Sequence, residues 1–250
     1  MTQPRPDQIK ADNLGRVFNP KRIALLGATP RAGSFAARTL ANLQGYRGEL
    51  YLVNAKYAEI GGRPCHASLS ALPAVPDAVI VALPNPLVEA AVAECAALGV
   101  GGVVIYASGY AETGRQADID AQARLASLAR ACGLRILGPN CMGLVNYGCG
   151  AVQSFQQFPP ACELGAHAIG LISQSGALAL SLSQAVERGV SFSHILTFGN
   201  GVDVDAADMI EYLSGVEECR AIACVFEGMA RPGRLVKAAE LAFRRNKPLI

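Results

Sequence analysis

Arg22-Ile-Ala-Leu-Leu-Gly-Ala-Thr-Pro-Arg-Ala-Gly-Ser-Phe-Ala-Ala-Arg38 is the stretch that decides how this chain is built. Ile23 to Leu26 form an apolar run that ends on Gly27, and after a short loop Gly33 opens an Ala-rich segment with no breaker before Gly45. This pattern predicts a strand, a tight turn and a helix. In a parallel sheet such a turn lies at the carboxyl ends of the strands, where the free N–H groups and positive dipole end of the helix favour a phosphate. A phosphorylated ligand is therefore expected over Gly27 to Ser34. A glycine turn that merely reverses the chain is the alternative.

The loop's composition narrows the ligand. A dinucleotide fingerprint G-x-G-x-x-G beginning at Gly27 requires glycines at 29 and 32, and the chain carries Thr29 and Ala32 there. The next expected strand, Glu49 to Val53, is followed by Asn54, Ala55 and Lys56 rather than by an acid that would hold a ribose hydroxyl. NAD is disfavoured, NADP stays open because Lys56 would tolerate a phosphorylated ribose, and another phosphate-bearing adenosine ligand such as coenzyme A is allowed.

The strand and helix signals repeat. Ala78 to Ala82 reads as a third strand stopped by Pro84-Asn-Pro86, with a helix from about Leu87 to Leu98. Gly102 to Ala107 is a fourth strand, about Arg115 to Cys132 a helix, and Arg135 to Leu137 a short fifth strand ending at Gly138-Pro-Asn-Cys141. Alternation of this kind requires right-handed crossovers and a doubly wound parallel sheet over residues 15–145. Residues 146–166, with glycines, glutamines and Pro159-Pro160, read as a linker that could hold a hairpin. The alternation then restarts over 167–250. Ala168 to Ile172 is a strand, Ser173-Gln-Ser-Gly176 a loop, and a helix follows to about Arg188. His194 to Thr197 and Ala221 to Val225 are further strands, Asp205 to Leu213 and Arg231 to Arg245 further helices, and Pro248-Leu-Ile250 opens a strand that stops. A second α/β domain, truncated at its C-terminal side or completed by another chain, is expected.

Composition excludes several classes. With 51% apolar and 17% charged residues the chain suits buried parallel strands. Its 22 basic and 20 acidic residues are interspersed, which gives no support for nucleic-acid binding. No run approaches the roughly 20 apolar residues that span a bilayer, and the first residues carry no secretory core, so no membrane association and a cytoplasmic location are expected. The eight cysteines never fall in a C-x-x-C spacing and are not paired with nearby histidines in a metal-ligand pattern, so neither a metal nor a disulfide framework is predicted.

Five stretches follow expected strands in the first half: Gly27 to Gly33, Asn54 to Lys56, Leu83 to Pro86, Ala107 to Tyr110 and Gly138 to Cys141. They belong on one edge of a doubly wound sheet, where ligands bind. The second half contains Ile-Ser-Gln-Ser-Gly-Ala (172–177), Phe-Gly-Asn-Gly-Val-Asp-Val-Asp (198–205), Asp-Met-Ile-Glu-Tyr-Leu (208–213), Phe226-Glu-Gly228 and Asn246-Lys-Pro248. In order and content these stretches resemble the alpha subunit of succinyl-CoA synthetase and the acyl-CoA synthetases that form a nucleoside diphosphate. The resemblance covers roughly residues 15 to 250. It implies a Rossmann-like coenzyme A-binding domain followed by a flavodoxin-like ligase domain.

The resemblance also implies roles. Gly27, Thr29, Gly33 and Ser34 would approach the nucleotide end of coenzyme A, and Lys56 would offer a charge to a phosphate. Pro84, Asn85 and Pro86 would shape the groove wall, while Ser108, Asn140 and Cys141 would lie toward the thiol end. Cys141 is singled out because it sits in a polar loop. In the second half Ser173, Ser175 and Gly176 would form an anion site that receives a phosphoryl group, and Glu227 matches the family's glutamate that orients a phosphohistidine. Asp203, Asp205 and Asp208 suggest a cation site at first sight, but Asp205 reads more simply as a helix cap.

The family needs a histidine beyond the Lys-Pro strand and an ATP-grasp domain, and His66, His167 and His194 replace neither. The implied partners are therefore a small carboxylic acid, coenzyme A and a grasp domain or subunit that binds ATP or GTP with Mg2+, within an oligomer. The chain alone is not expected to turn over. A non-catalytic module that senses coenzyme A or a nucleotide, and an NADP-dependent oxidoreductase, remain the alternatives.

Overall fold

The computed structural model describes residues 6–160, 167–228 and 231–250; Cys162 and the end of the expected linker lie outside them. In the first half the elements are α1 (Pro6–Phe18), β1 (Arg22–Leu26), α2 (Phe35–Asn42), β2 (Glu49–Val53), β3 (Glu59–Ile60), β4 (Arg63–His66), β5 (Ala78–Val81), α3 (Asn85–Ala97), β6 (Gly102–Ile105), α4 (Gln116–Cys132) and β7 (Arg135–Leu137). The sheet runs β3-β4-β2-β1-β5-β6-β7. Every pairing is parallel except that of β3 with β4. All four residues of β5 and of β6 are buried, as strands covered by helices on both faces must be. Without the short β3 the order is that of the Rossmann fold, and it reverses between β1 and β5, which is where such sheets bind ligands.

Strand β4 has no apolar run to announce it. Its sequence is Arg-Pro-Cys-His, and only Cys65 is buried. It pairs with β2 through Leu52 and Cys65, near the edge of the sheet, where Pro64 is tolerated.

The second half contributes β8 (Gly143–Asn146), β9 (Ala151–Ser154), β10 (Ile169–Ser173), α5 (Gly176–Ser183), β11 (Phe192–Thr197), α6 (Ala206–Ser214), β12 (Ala221–Val225) and α7 (Pro232–Arg244). Their sheet runs β12-β10-β11-β8-β9, with β8 antiparallel to both β11 and β9. The first part of the stretch read as a linker is therefore the far strand of a hairpin that completes this sheet. Leu249 bridges Ile222 in parallel on the other edge. No described helix is long and apolar enough to cross a membrane.

One continuous apolar cluster runs from Ile23, Leu25 and Leu52 to Ile172, Leu196 and Met209, so the two sheets share a core. Polar contacts fix their relation. Asn42 Nδ2 donates to the carbonyls of Ser154 and Gln156 at 2.7 and 2.8 Å, and Asn146 and Gln153 donate to the carbonyls of Phe18 and Val17, both at 2.9 Å. The loop after β11 lies against the end of β7: the N–H groups of Asn200, Val202 and Val204 donate to Pro139, Gly138 and Ile136. Gly199 has φ 54° in this loop, and any side chain there would collide with the Pro139 and Asn140 carbonyls.

Candidate active site

Two clefts open along the carboxyl ends of the strands. The first encloses about 830 Å³ above β1, β2, β5 and β6. The β1–α2 turn gives it Gly27, Thr29, Gly33 and Ser34, the β2 end gives Asn54 and Lys56, the β5 end gives Pro84 and Asn85, and the β6 end gives Tyr106 and Ser108. Its volume lies within the range of cofactor sites. Gly27 adopts φ 88°, and a Cβ there would stand 2.6 Å from the Ala82 carbonyl oxygen, so only glycine lets the turn pass this close to β5. Ser34 caps α2: its Oγ accepts from the Ala37 N–H at 3.2 Å and donates to the Arg31 carbonyl at 2.8 Å. That leaves other first-turn N–H groups of α2 for an anion.

The second cleft, of about 470 Å³, lies between the two sheets. Glu112, Asn140, Met142, Phe155, Gln174, Ser175, Gly176, Asn200 and Glu227 line it. Ser175 caps α5 by accepting from the Leu178 N–H at 3.3 Å, and the fully buried Ser173 donates to the Ser175 carbonyl at 2.7 Å. The Gln174 side-chain oxygen accepts from the N–H groups of Glu227 and Gly228 at 2.8 and 3.2 Å, which places the exposed Glu227 at this helix start. Gly176 is needed for packing, since a Cβ there would collide with Met142.

Tyr106 lines both clefts. Its ring sits edge-on to Phe155 at 4.9 Å and to Phe35 at 6.4 Å, while Phe35 and Phe155 stack at 4.0 Å with an interplanar angle of 14°. The two clefts thus adjoin across a wall of three aromatic rings.

The structure gathers most of the expected residues and separates a few. Gly27, Thr29, Gly33, Ser34, Lys56, Pro84, Asn85 and Ser108 line the first cleft, and Asn140, Cys141, Ser175, Gly176 and Glu227 the second. Pro86 lies one residue inside α3 and is absent from the lining of both clefts. Asn85 does not offer its amide freely, because Nδ2 donates to the carbonyls of Ser108 at 3.0 Å and Gly109 at 2.9 Å. Cys141 lines the second cleft but is buried. Its loop is polar in sequence but closed over the thiol, which is 2% exposed and bonded to the Thr197 carbonyl at 3.2 Å. Burial pushes this thiol above the ordinary cysteine range, so it is poorly suited to react with a ligand.

Sequence reasoning missed Arg31, Phe35, Tyr106, Glu112, Phe155 and Asn200. Arg31 stands in the quoted loop as a second cation beside the first cleft, and its charge was the available signal. The aromatic trio comes from three distant segments, and no local pattern joins them. Asn200 donates to the carboxylate of Glu112 and to Gln122 Oε1, the latter at 2.9 Å. Burial raises the Glu112 pKa, but the hydrogen bonds from Asn200, Gly109 and Tyr110 outweigh it and hold the group below the usual carboxylate range.

The aspartates after β11 serve the fold. Asp205 caps α6 in a reciprocal capping box with Asp208. Asp208 and Asp203 both pair with the buried Arg135, at 2.9 and 2.8 Å, and Asp208 also binds Arg234 at 2.9 Å. These guanidiniums occupy the carboxylates.

Comparison with known proteins agrees with this geometry. Residues 21–147 match the CoA binding domain model, and 166–250 the succinyl-CoA ligase like flavodoxin domain model. A trans-feruloyl-CoA synthase from an unknown prokaryotic organism is 36% identical over 95% of this chain and 34% of its own length. An ADP-forming acetate–CoA ligase of Archaeoglobus fulgidus is 34% identical over 94% of this chain and 34% of its own, and an alpha subunit of such a ligase from Pyrococcus furiosus is 32% identical over 93% and 50%. The chain therefore spans between a third and a half of these relatives. A crystal structure from Pyrococcus horikoshii OT3 superposes with TM-score 0.87 at 32% identity, covering 94% of this chain and 53% of that one. The dinucleotide forming acetyl-coenzyme A synthetase 1 of Ca. Korarchaeum cryptofilum, in complex with phosphate and ADP, gives 0.86 at 28%, covering 94% and 50%. The chain belongs to the family of acyl-CoA synthetases (NDP-forming) and succinyl-CoA synthetase alpha subunits, carrying the CoA-binding domain followed by flavodoxin-like ligase sequence.

Proposed function

We propose that this chain is the CoA-binding and phosphoryl-receiving portion of an acyl-CoA synthetase that forms a nucleoside diphosphate. In the full reaction a nucleoside triphosphate, ATP or GTP with Mg2+ in a grasp domain or subunit, phosphorylates a histidine. The phosphoryl group passes to a carboxylate, and the CoA thiol then displaces phosphate from the acyl phosphate. The observation that carries the reading is that the two clefts adjoin on either side of Tyr106, which brings the ends proposed for thiol and acyl phosphate close to each other.

In this reading the nucleotide end of coenzyme A lies over Gly27, Thr29, Gly33 and Ser34, with Lys56 and Arg31 toward its phosphates. Pro84 and Pro86 stiffen the wall, Asn85 holds the turn that presents Ser108, and Asn140 faces the second cleft. Ser173 shapes the start of α5, where Ser175 and Gly176 receive the phosphoryl group. Glu227 orients the phosphohistidine. None of His66, His167 and His194 lines either cleft, so that histidine comes from sequence or a subunit beyond this chain. The complete enzyme is an oligomer acting in the cytoplasm.

Titration calorimetry with coenzyme A tests the proposal. Saturable binding near one equivalent, weakened about tenfold by Lys56→Ala with Arg31→Ala, is expected. No heat at millimolar coenzyme A, or tight NADPH binding in its place, would overturn it.

A further inference from the structure

The relatives named above act on different acids, and the family alone does not choose among them. We propose, resting on the synthetase reading, that the acid taken by this chain is a monocarboxylate carrying an aromatic ring, and that Phe35, Tyr106 and Phe155 select it.

On that reading the acyl group sits where the clefts adjoin, between the thiol end near Ser108 and the phosphoryl end at Ser175 and Gly176. Three rings from three segments converge there: Phe35 opens α2, Tyr106 follows β6 and Phe155 follows β9. Phe35 remains 49% exposed although it stacks on Phe155. The stack covers part of its ring and leaves apolar surface beside the ligand path. Tyr106 is buried, with its hydroxyl bonded to Thr39 Oγ1 at 3.1 Å inside the fold, so its ring backs the two phenylalanines and holds them in place. A flat aromatic tail adds to an offset or edge-to-face array that already exists, whereas a methyl group leaves most of it wet.

The charges of the second cleft act in the same direction. Among the described residues its lining holds two carboxylates, Glu112 and Glu227, and no lysine, arginine or histidine. The start of α5 favours one anion, and a second carboxylate on the acid, held away from that helix end, would meet repulsion with no described cation in the lining to offset it. Met142, packed under Gly176, gives an adaptable wall at the carboxyl end of the tail.

The test is binding of thioesters to the 250-residue chain, which separates this inference from the reading beneath it. Coenzyme A, acetyl-CoA, succinyl-CoA and cinnamoyl-CoA are titrated in turn. Cinnamoyl-CoA is expected to bind about tenfold or more tightly than acetyl-CoA, and succinyl-CoA no better than acetyl-CoA. Saturation-transfer NMR should show its strongest effects on the phenyl protons. Phe155→Ala should bring the cinnamoyl-to-acetyl ratio close to one, and Phe155→Leu, which keeps an apolar side chain in case alanine does not fold, should lower it partway. Equal affinity of the three thioesters with coenzyme A still binding would overturn the aromatic assignment alone. A preference for succinyl-CoA would do the same, and failure of coenzyme A itself to bind would overturn both readings.

Discussion

The side-chain amide of Asn200 donates to the carboxylate of Glu112, joining the loop after β11 to the loop after β6 across the boundary between the two sheets. Glu112 also accepts from the N–H groups of Gly109 and Tyr110 at 2.6 and 3.1 Å, so one carboxylate organises the turn next to Ser108 and anchors it to the other half. Asn200→Ala should therefore loosen both cleft walls. The expected cost is about 1–2 kcal/mol in urea unfolding, with weaker CoA binding. Glu112→Gln, which keeps an acceptor but loses the charge, should fall between wild type and alanine.

Arg135 is a second tie between the halves, and its burial makes it the more costly one to cut. It is 4% exposed and pairs with Asp203 and Asp208. Arg135→Ala leaves two carboxylates short of a partner, and a loss of about 3–5 kcal/mol is expected. Burial alone would raise the Asp208 pKa, but hydrogen bonds from Arg234 and the charge of Arg135 hold it far below the usual range. A depressed carboxyl stabilises the fold above its unfolded pKa near 4, and that contribution is lost as pH falls further. Urea midpoints between pH 4 and pH 2 should show this decline, and the decline should be smaller in Arg135→Ala.

Gly27→Ala tests the turn itself. The φ of 88° and the 2.6 Å approach to the Ala82 carbonyl oxygen leave no room for a Cβ. A destabilisation of about 2–3 kcal/mol is expected, together with loss of CoA binding. Gly33→Ala, where φ is 77° but no atom lies within 4 Å of the added Cβ, should cost less.

His194 gives the fold an acid-sensitive point away from the clefts. It is 4% exposed, packs edge-on to Tyr212 at 5.7 Å, and neither ring nitrogen has a hydrogen-bond partner. Burial lowers its pKa to about 4. The unfolded chain binds this proton at higher pH than the folded one, so the neutral imidazole favours folding above pH 6.5, and stability falls between pH 6.5 and 4. The shift corresponds to roughly 3 kcal/mol. A His194→Leu variant should show a flatter stability profile over that interval.

The main parallel strands were legible because buried parallel strands leave apolar runs and their turns leave glycines and prolines. The residues at β-strand ends were legible for the same reason: Gly27, Lys56, Asn85 and Ser108 all follow such runs. Strand β4 was not, since Arg-Pro-Cys-His is held by pairing with β2 rather than by hydrophobicity of its own. The β8–β9 hairpin was blurred by the glycines of its turn. Cys141 lines the second cleft as expected, but its burial was not legible, because neighbouring sequence reports polarity and not whether a loop closes. The junction of the clefts was illegible, because Phe35, Tyr106 and Phe155 meet only after two domains have packed.

The most direct test of the account is a crystal structure of this chain with coenzyme A. The account predicts the phosphates over the Gly27 to Ser34 turn and the thiol beside Tyr106, facing the start of α5 at Ser175. Coenzyme A bound away from that turn, or bound there with its thiol directed away from Tyr106, would contradict it.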